Sequence, residues 1–149
     1  MLYGASPFSE SQENAEQLKQ VMHFQSAVIS TRFIKTGESV GYTANWTAQR
    51  NSTIATVAVG YGDGYPRHAP NGTPVLINGV KCPLVGRVSM DMITVDITDL
   101  NTEIAIGADV TLWGPELSVT EVAEHCGTIG YELLTRMPAR VPRIYINAK

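Results

Sequence analysis

From Val21 onward, stretches rich in Val, Ile and Thr recur along the chain and are separated by turn residues. β-Branched side chains favour strands because they pack well on a pleated surface. The pair Asn78-Gly79 is typical of a type I′ hairpin turn, in which both central residues have positive φ. The pattern therefore predicts a mainly β fold, with strands at Ala27–Ile34, Ser52–Val59, Thr73–Ile77, Lys81–Leu84, Arg87–Ile97 and Val110–Trp113.

Helical signals are confined to the C-terminal third of the chain. Ser118 and Glu121 have the spacing of a capping box, and Gly127 stands where a left-handed residue ends a helix. Pro138 stops any later helix because it has no N–H to donate. The pattern predicts two short helices and a final strand, at Val119–Cys126, Tyr131–Arg136 and Arg140–Ile146.

A polar segment, Ser9–Gln20, separates Leu2-Tyr3-Gly4 from the β-rich part of the chain. Its Ser, Glu and Gln content is typical of a linker or a weak surface helix. Leu2-Tyr3-Gly4 has the character of the last piece of an element that starts upstream. We therefore expect residues 1–20 to be the end of a preceding domain and a linker, and residues 21–149 to form the β domain.

The composition is that of one ordinary globular domain: 149 residues, 44% hydrophobic and 17% charged, with a net charge of −3. A chain of this length can bury a real core without metal or disulfide staples. The absence of a basic run argues against nucleic acid as a partner. No apolar stretch approaches the length of a membrane span, and the first residues do not resemble a signal peptide.

The two cysteines, Cys82 and Cys126, lie far apart and have no histidine or second cysteine at metal-ligand spacing. The sequence therefore predicts neither a zinc site nor any other metal site. Buried structural thiols are the favoured interpretation, and two free thiols fit a reducing compartment. We expect a cytoplasmic protein.

Two loops carry candidate chemistry. In Gly60–Arg67 the alternate glycines indicate a tight turn or a close approach of backbone, but no helix follows that could hold a dinucleotide. In Gly86–Asp91, Arg87 and Asp91 lie on one side of the predicted strand, so they can form a structural ion pair or line a substrate cleft. Taken alone, Tyr42 is better explained by packing than by catalysis.

Together these motifs closely resemble the C-terminal part of bacterial alanine racemases, over essentially the whole chain. Several motifs match in sequence order and with similar spacing, which makes the resemblance specific. They are Leu2-Tyr3-Gly4, Gly41-Tyr42, Gly60–Arg67, Gly86–Asp91, Gly127–Glu132 and Arg140–Arg143.

The resemblance implies a C-terminal β domain, built as a small barrel-like sheet, of a pyridoxal-phosphate-dependent enzyme. In that family an N-terminal α/β barrel holds the cofactor on a lysine, and the active site forms across a head-to-tail homodimer. None of Lys19, Lys35, Lys81 and Lys149 lies in a segment resembling the family's cofactor-lysine segment. The resemblance thus places the N-terminal barrel outside this chain and implies that the isolated chain is inactive.

The resemblance also assigns roles residue by residue. Tyr42 resembles the tyrosine that serves as acid/base at the partner subunit's active site, although Thr43 replaces an expected glycine. Met90 resembles the residue whose backbone N–H holds the substrate carboxylate, and Tyr131 the tyrosine that contacts the cofactor phosphate. The residues that match the lining of the substrate entrance are Tyr61, Arg67, Arg87 and Ile129.

The function implied is interconversion of L-alanine and D-alanine, which supplies D-alanine for peptidoglycan. Two alternatives remain open at this point. The chain could be a free-standing β domain that catalyses nothing, or a fragment of a broad-specificity amino-acid racemase with a wider entrance.

Overall fold

The computed structural model describes residues 4–6 and 18–146. Within them the chain forms eight strands and two α-helices. The strands are β1 (Phe24–Ile34), β2 (Ser39–Val40), β3 (Trp46–Thr47), β4 (Ser52–Val57), β5 (Pro74–Ile77), β6 (Val80–Pro83), β7 (Ile93–Asp96) and β8 (Asp109–Trp113). The helices are α1 (Val119–His125) and α2 (Gly130–Thr135).

Six strands form one antiparallel sheet in the order β6-β5-β8-β1-β4-β7, and β2 and β3 form a separate small hairpin. The long strand β1 pairs with β8 through its first half and with β4 through its second half. A bridge between Leu84, just after β6, and Val95 in β7 connects the two outer strands. The sheet is therefore nearly closed, which confirms the predicted barrel-like β domain.

The core lies inside this sheet and under the two helices. Trp113 is fully buried, and its ring centroid lies 4.7 Å from that of Phe24 and 6.2 Å from that of Tyr65. Both helices bury apolar side chains in the same core, among them Val122 and Leu133. Neither helix in the described part of the chain is long and apolar enough to cross a membrane.

The sequence located the hairpin and both helices well. Asn78 and Gly79 have φ of 48° and 81°, and Gly127 has φ of 66°. Ser118 caps α1, since its Oγ accepts from Thr120 N at 3.1 Å, but this bond is to the second helical residue and not to the third, as in a capping box. Glu121 does not return to the helix start but pairs with Lys81 at 2.6 Å.

The predicted strand Arg87–Ile97 is wrong over residues 87–92, and only Ile93–Asp96 is a strand. Ser89 explains the difference. Its hydroxyl accepts from Met92 N at 3.0 Å and donates to Met92 O at 2.8 Å, so the backbone closes into a local turn. Such side-chain bonds compete with the ladder of a sheet.

The predicted strand Arg140–Ile146 is also wrong, because these residues form no strand. Pro142 cannot donate to a neighbouring strand, and the Leu84–Val95 bridge already joins the outer strands of the sheet. The alternative of an Arg87–Asp91 ion pair is wrong as well. Asp91 instead bonds to Arg140, at 2.8 Å.

Most of the predicted linker lies outside the described residues. Ala5, just before it, is 1% exposed and packs in the main core of the β domain. The boundary between residues 20 and 21 stays a prediction.

Cys82 and Cys126 are buried and free, as predicted. Burial raises the pKa of each thiol from an ordinary 9.0 to about 11. We expect both thiols of the folded protein to react slowly with a disulfide reagent at pH 8, and fast once the protein is unfolded in guanidinium. Because the folded-state pKa is raised, the thiols' contribution to stability is present below pH 9 and is lost as pH rises toward 11. Fast reaction of the folded protein at pH 8 would contradict this burial.

Candidate functional site

Three segments form the candidate site: the Tyr42 turn (residues 41–44), the Tyr61 loop (60–66) and the Met90 loop (86–92). The last two run side by side. Tyr61 N donates to Ser89 O at 3.0 Å, and Gly62 N donates to Met90 O at 2.8 Å. A Cβ on Gly60 would lie 2.3 Å from Ser89 O, so this close approach requires glycine.

The Tyr42 turn packs on the start of the Met90 loop. A Cβ on Gly41 would lie 2.7 Å from Arg87 N, and Gly41 has φ of 83°. Tyr42 itself is 72% exposed, so the packing interpretation of this residue is wrong for the chain by itself.

Thr43 and Ala44 adopt left-handed conformations, with φ of 62° and 51°. Thr43 thus takes a backbone conformation that the expected glycine would adopt at no steric cost. Its hydroxyl donates to Tyr42 O at 2.6 Å. The departure from the family pattern therefore strains the turn, in which the side chain of Tyr42 is exposed.

Asn71 connects the Tyr42 turn to the Met90 loop. Its Oδ1 accepts from the buried Gly86 N at 2.7 Å, and its Nδ2 donates to Asn45 O at 3.2 Å, just after the Tyr42 turn. In the sequence, Asn71-Gly72 indicates only a turn. Its role in joining two distant segments depends on tertiary contacts that no local pattern reveals.

A hollow of about 420 Å³ opens beside the Tyr42 turn. It brings together Tyr42 and Arg87, two of the predicted site residues. Its lining consists of Gly41, Tyr42, Thr56, Arg87, Ser89, Met92, Ile93 and Thr94. One phenol and one guanidinium on a mixed polar and apolar wall can receive a small anionic molecule.

Met90 lies on the same loop as Arg87, and its side chain is 53% exposed. Its carbonyl accepts from Gly62 N at 2.8 Å. Within residues 4–6 and 18–146, no acceptor is bonded to its N–H. A free backbone donor is therefore available at this position.

A second, smaller hollow of about 220 Å³ contains Tyr61 and Arg67. Its lining consists of Tyr61, Gly64, Tyr65, Arg67, His68 and Arg136. Tyr65 is the packing aromatic of this loop, since it stacks on Trp113 and its buried hydroxyl has no hydrogen-bond partner among the residues that the structure describes. Burial raises the pKa of Tyr65 strongly, so this phenol stays neutral.

Ile129 and Tyr131 line neither hollow. Ile129 is 65% exposed and immediately precedes α2. Tyr131, in the first turn of α2, donates its hydroxyl to Ala5 O at 3.1 Å. The chain thus divides the predicted entrance residues among three places: Arg87 on the first hollow, Tyr61 and Arg67 on the second, and Ile129 beside α2.

Arg140 is a member of the site region that the sequence interpretation missed. Its Nε bonds to Asp63 of the Tyr61 loop at 2.9 Å, and its Nη2 bonds to Asp91 of the Met90 loop at 2.8 Å. The pattern placed it in a strand, and neither partner is near it in the sequence.

Neither a lysine nor a metal-ligand cluster completes this site within the described residues. No described lysine lines either hollow, and no group of three or more His, Cys, Asp and Glu side chains could hold a metal ion there. The chemistry of the described site therefore depends on phenols, guanidinium groups and backbone donors.

The family model "Alanine racemase, C-terminal domain" matches residues 21–145. The chain is 58% identical over 147 residues to the alanine racemase of Pseudoalteromonas atlantica, covering 99% of this chain and 39% of that protein. It is 56% identical to that of Stutzerimonas stutzeri, with 99% and 41% covered.

Solved structures agree. The biosynthetic alanine racemase of Pseudomonas aeruginosa superposes with a TM-score of 0.94 at 52% identity, covering 98% of this chain and 40% of that one. The alanine racemase of Bartonella henselae, solved with covalently bound pyridoxal phosphate, gives 0.88 at 41% identity, with 97% and 40% covered.

These matches define a β domain of the alanine racemase class, and the chain belongs to the alanine racemase C-terminal domain family. It spans about 40% of the length of the curated relatives it matches.

Gly41→Ala tests the contact between the Tyr42 turn and the Met90 loop, and Gly37→Ala is its matched control. Gly37 has φ of 88°, close to the 83° of Gly41, but a Cβ there meets nothing within 4 Å. We expect Gly37→Ala to cost about 1–2 kcal/mol of unfolding free energy from backbone strain alone. Gly41→Ala should cost about 1–3 kcal/mol more, because the added methyl group overpacks the contact. Denaturant unfolding measures both, and equal losses would show that the contact does not constrain the turn.

Proposed function

We propose that this chain is the C-terminal domain of a pyridoxal-phosphate-dependent alanine racemase that interconverts L-alanine and D-alanine. The observation that carries the proposal is the exposed phenol of Tyr42 beside Arg87 at one hollow. A phenol held out of the core at a cation-lined site is positioned to exchange a proton with a bound substrate. The alanine racemase relatives supply the substrate class.

Racemisation removes the Cα proton from one face of the substrate and returns it to the other, so two bases must flank Cα. Tyr42 is the acid/base that this chain contributes, and a lysine outside this chain supplies the opposite face. Arg87 lines the same hollow, and its positive charge stabilises an anionic oxygen there. Pyridoxal phosphate, when bound, is the electron sink that makes the Cα proton acidic enough to move.

Met90 and Tyr131 act on the bound molecules without exchanging the Cα proton. The free N–H of Met90 is a donor for the substrate carboxylate, so the methionine side chain need not take part. Tyr131 is the residue of this chain that would contact the cofactor phosphate. In this chain its hydroxyl donates to Ala5 O, so it must rotate its O–H to donate to a phosphate.

Tyr61, Arg67, Arg87 and Ile129 form the substrate entrance in this proposal. Guanidinium groups favour a carboxylate, and the aromatic and aliphatic side chains restrict its bulk. Because these residues lie in three separate places on this chain, the entrance is completed by the N-terminal barrel and by the second subunit of a homodimer. Tyr42 then serves the active site of the partner subunit.

The proposed setting is cytoplasmic, where D-alanine is made for peptidoglycan. Free, buried Cys82 and Cys126 suit a reducing compartment. Of the described lysines, Lys81 is paired with Glu121, and none lines a hollow. The isolated chain supplemented with pyridoxal phosphate is therefore expected to be inactive.

Tyr42→Phe tests the proposed acid/base role in the full-length enzyme. We expect racemisation in both directions to fall by about 10²–10⁴-fold, because one face of Cα loses its base. One alanine enantiomer should still exchange its α-hydrogen with deuterated solvent, while the other should not. Tyr145→Phe is the control, since Tyr145 is an exposed tyrosine outside both hollows. Equal loss in the two variants, or symmetric exchange in Tyr42→Phe, would overturn the assignment.

A substrate panel tests the entrance. We expect kcat/KM of the full-length enzyme to be at least tenfold higher for alanine than for lysine or arginine. One extra methylene group in a tight site is already worth about 10–200-fold in kcat/KM. Chiral chromatography of the products measures this ratio. Comparable rates would favour a broad-specificity racemase, and no turnover of any amino acid would favour a non-catalytic domain.

A further inference from the structure

We propose that Arg140 is a positioning residue of the racemase site, which holds the Tyr61 loop and the Met90 loop at a fixed separation. This inference rests on the proposed function. Its starting observation is that one guanidinium bonds to both loops, through Asp63 at 2.9 Å and Asp91 at 2.8 Å. The two carboxylates belong to the loops that carry Tyr61 and Met90.

The ion pair between Arg140 and Asp63 restrains the start of the Tyr61 loop. While Asp63 Oδ1 accepts from Arg140, its Oδ2 accepts from Gly60 N at 2.9 Å. Gly60 in turn approaches the Met90 loop so closely that only glycine fits. Asp63 therefore links the Arg140 guanidinium directly to the backbone of the Tyr61 loop.

The contact to Asp91 restrains the Met90 loop next to its free N–H. Within the described part of the chain, Arg140 is the ion-pair partner of Asp91. Asp91 follows Met90 directly, so a shift of this carboxylate moves the adjoining peptide. Besides Arg140, the described residues join the two loops through the backbone hydrogen bonds from Tyr61 and Gly62 and the close packing of Gly60.

The geometry suits arginine and not lysine. A planar guanidinium presents several N–H donors in a fixed fork, whereas an ammonium group is a single point charge. Arg140 lies over Gly62, where a Cβ would be 2.6 Å from Nη2. The glycine leaves room for the fork to reach both carboxylates at once.

The Tyr42 turn contacts the start of the Met90 loop, whereas Arg140 bonds to Asp91 near the end of that loop, so the expected effects on KM and kcat differ. Gly41 packs against Arg87 N, and Asn71 connects Gly86 to Asn45. Loss of Arg140 should therefore displace the Met90 N–H, which donates to the substrate carboxylate, and the entrance residue Tyr61 more than the acid/base Tyr42. We expect KM for alanine to rise while kcat changes little.

The experiment uses full-length enzyme carrying Arg140→Gln, Arg140→Lys or Asp91→Asn, with Arg50→Gln as the matched control. Arg50 is also an exposed arginine paired with an aspartate, Asp99 at 2.6 Å, but it lines neither hollow. We expect Arg140→Gln to raise KM about tenfold with kcat within about threefold of wild type. Arg140→Lys should give a smaller rise in KM, and Arg50→Gln none.

A double-mutant cycle and hydrogen exchange complete the test. Arg140→Gln and Asp91→Asn together should raise KM less than the product of the single effects, because both remove the same bond. Amide exchange at Gly62, which donates to Met90 O, should speed up in Arg140→Gln and stay unchanged in Arg50→Gln.

The inference would be overturned if KM were unchanged in Arg140→Gln, or if kcat fell by as much as KM rose. An equal rise in KM in the Arg50→Gln control would also overturn it. If Arg140→Gln does not fold, Arg140→Lys and Asp91→Asn decide by the same two readouts. If wild-type enzyme racemises no alanine, the proposed function fails, and exchange at Gly62 decides whether Arg140 joins the loops.

Discussion

The change of partner along β1 is the constraint on which the other features of the domain depend. One strand of 11 residues pairs with β8 at its start and with β4 at its end, and the register shifts once within each pairing, between Phe24 and Gln25 and between Val28 and Ser30. Shifts of this kind bend a strand and increase its twist. The bend curls the sheet until Leu84 reaches Val95, and that closure places the Tyr61 and Met90 loops side by side.

Close approaches of backbone help to hold the site together. Gly41 and Gly60 each stand where a Cβ would overlap the Met90 loop. Polar side chains then join segments that are distant in the sequence: Asn71 at the Tyr42 turn and Arg140 at the Tyr61 loop. The exposed phenol of Tyr42 and the free N–H of Met90 depend on this framework while contributing little to it.

Local sequence patterns correctly predicted the turns and helix ends that short stretches of residues determine. The Asn78-Gly79 hairpin, the Ser118 cap and Gly127 all follow from the conformational preferences of single residues. The predictions were wrong or incomplete where side-chain bonds and contacts between distant segments determine the structure. Ser89 closes a turn inside a β-rich run, and Arg140 pairs with carboxylates 77 and 49 residues away in the chain. The family motifs named Tyr42, Arg87, Tyr61 and Arg67, but the division of these residues between two hollows required the fold.

The free donor at position 90 belongs to the main chain, so every residue except proline can present it there. An inhibitor with an acidic group that anchors on this N–H would contact an atom that mutation cannot easily remove. Proline is not reachable from a methionine codon by a single base change. Drug resistance at this point of contact would therefore have to arise through shifts of the surrounding loops, which also carry the neighbouring residues of the site.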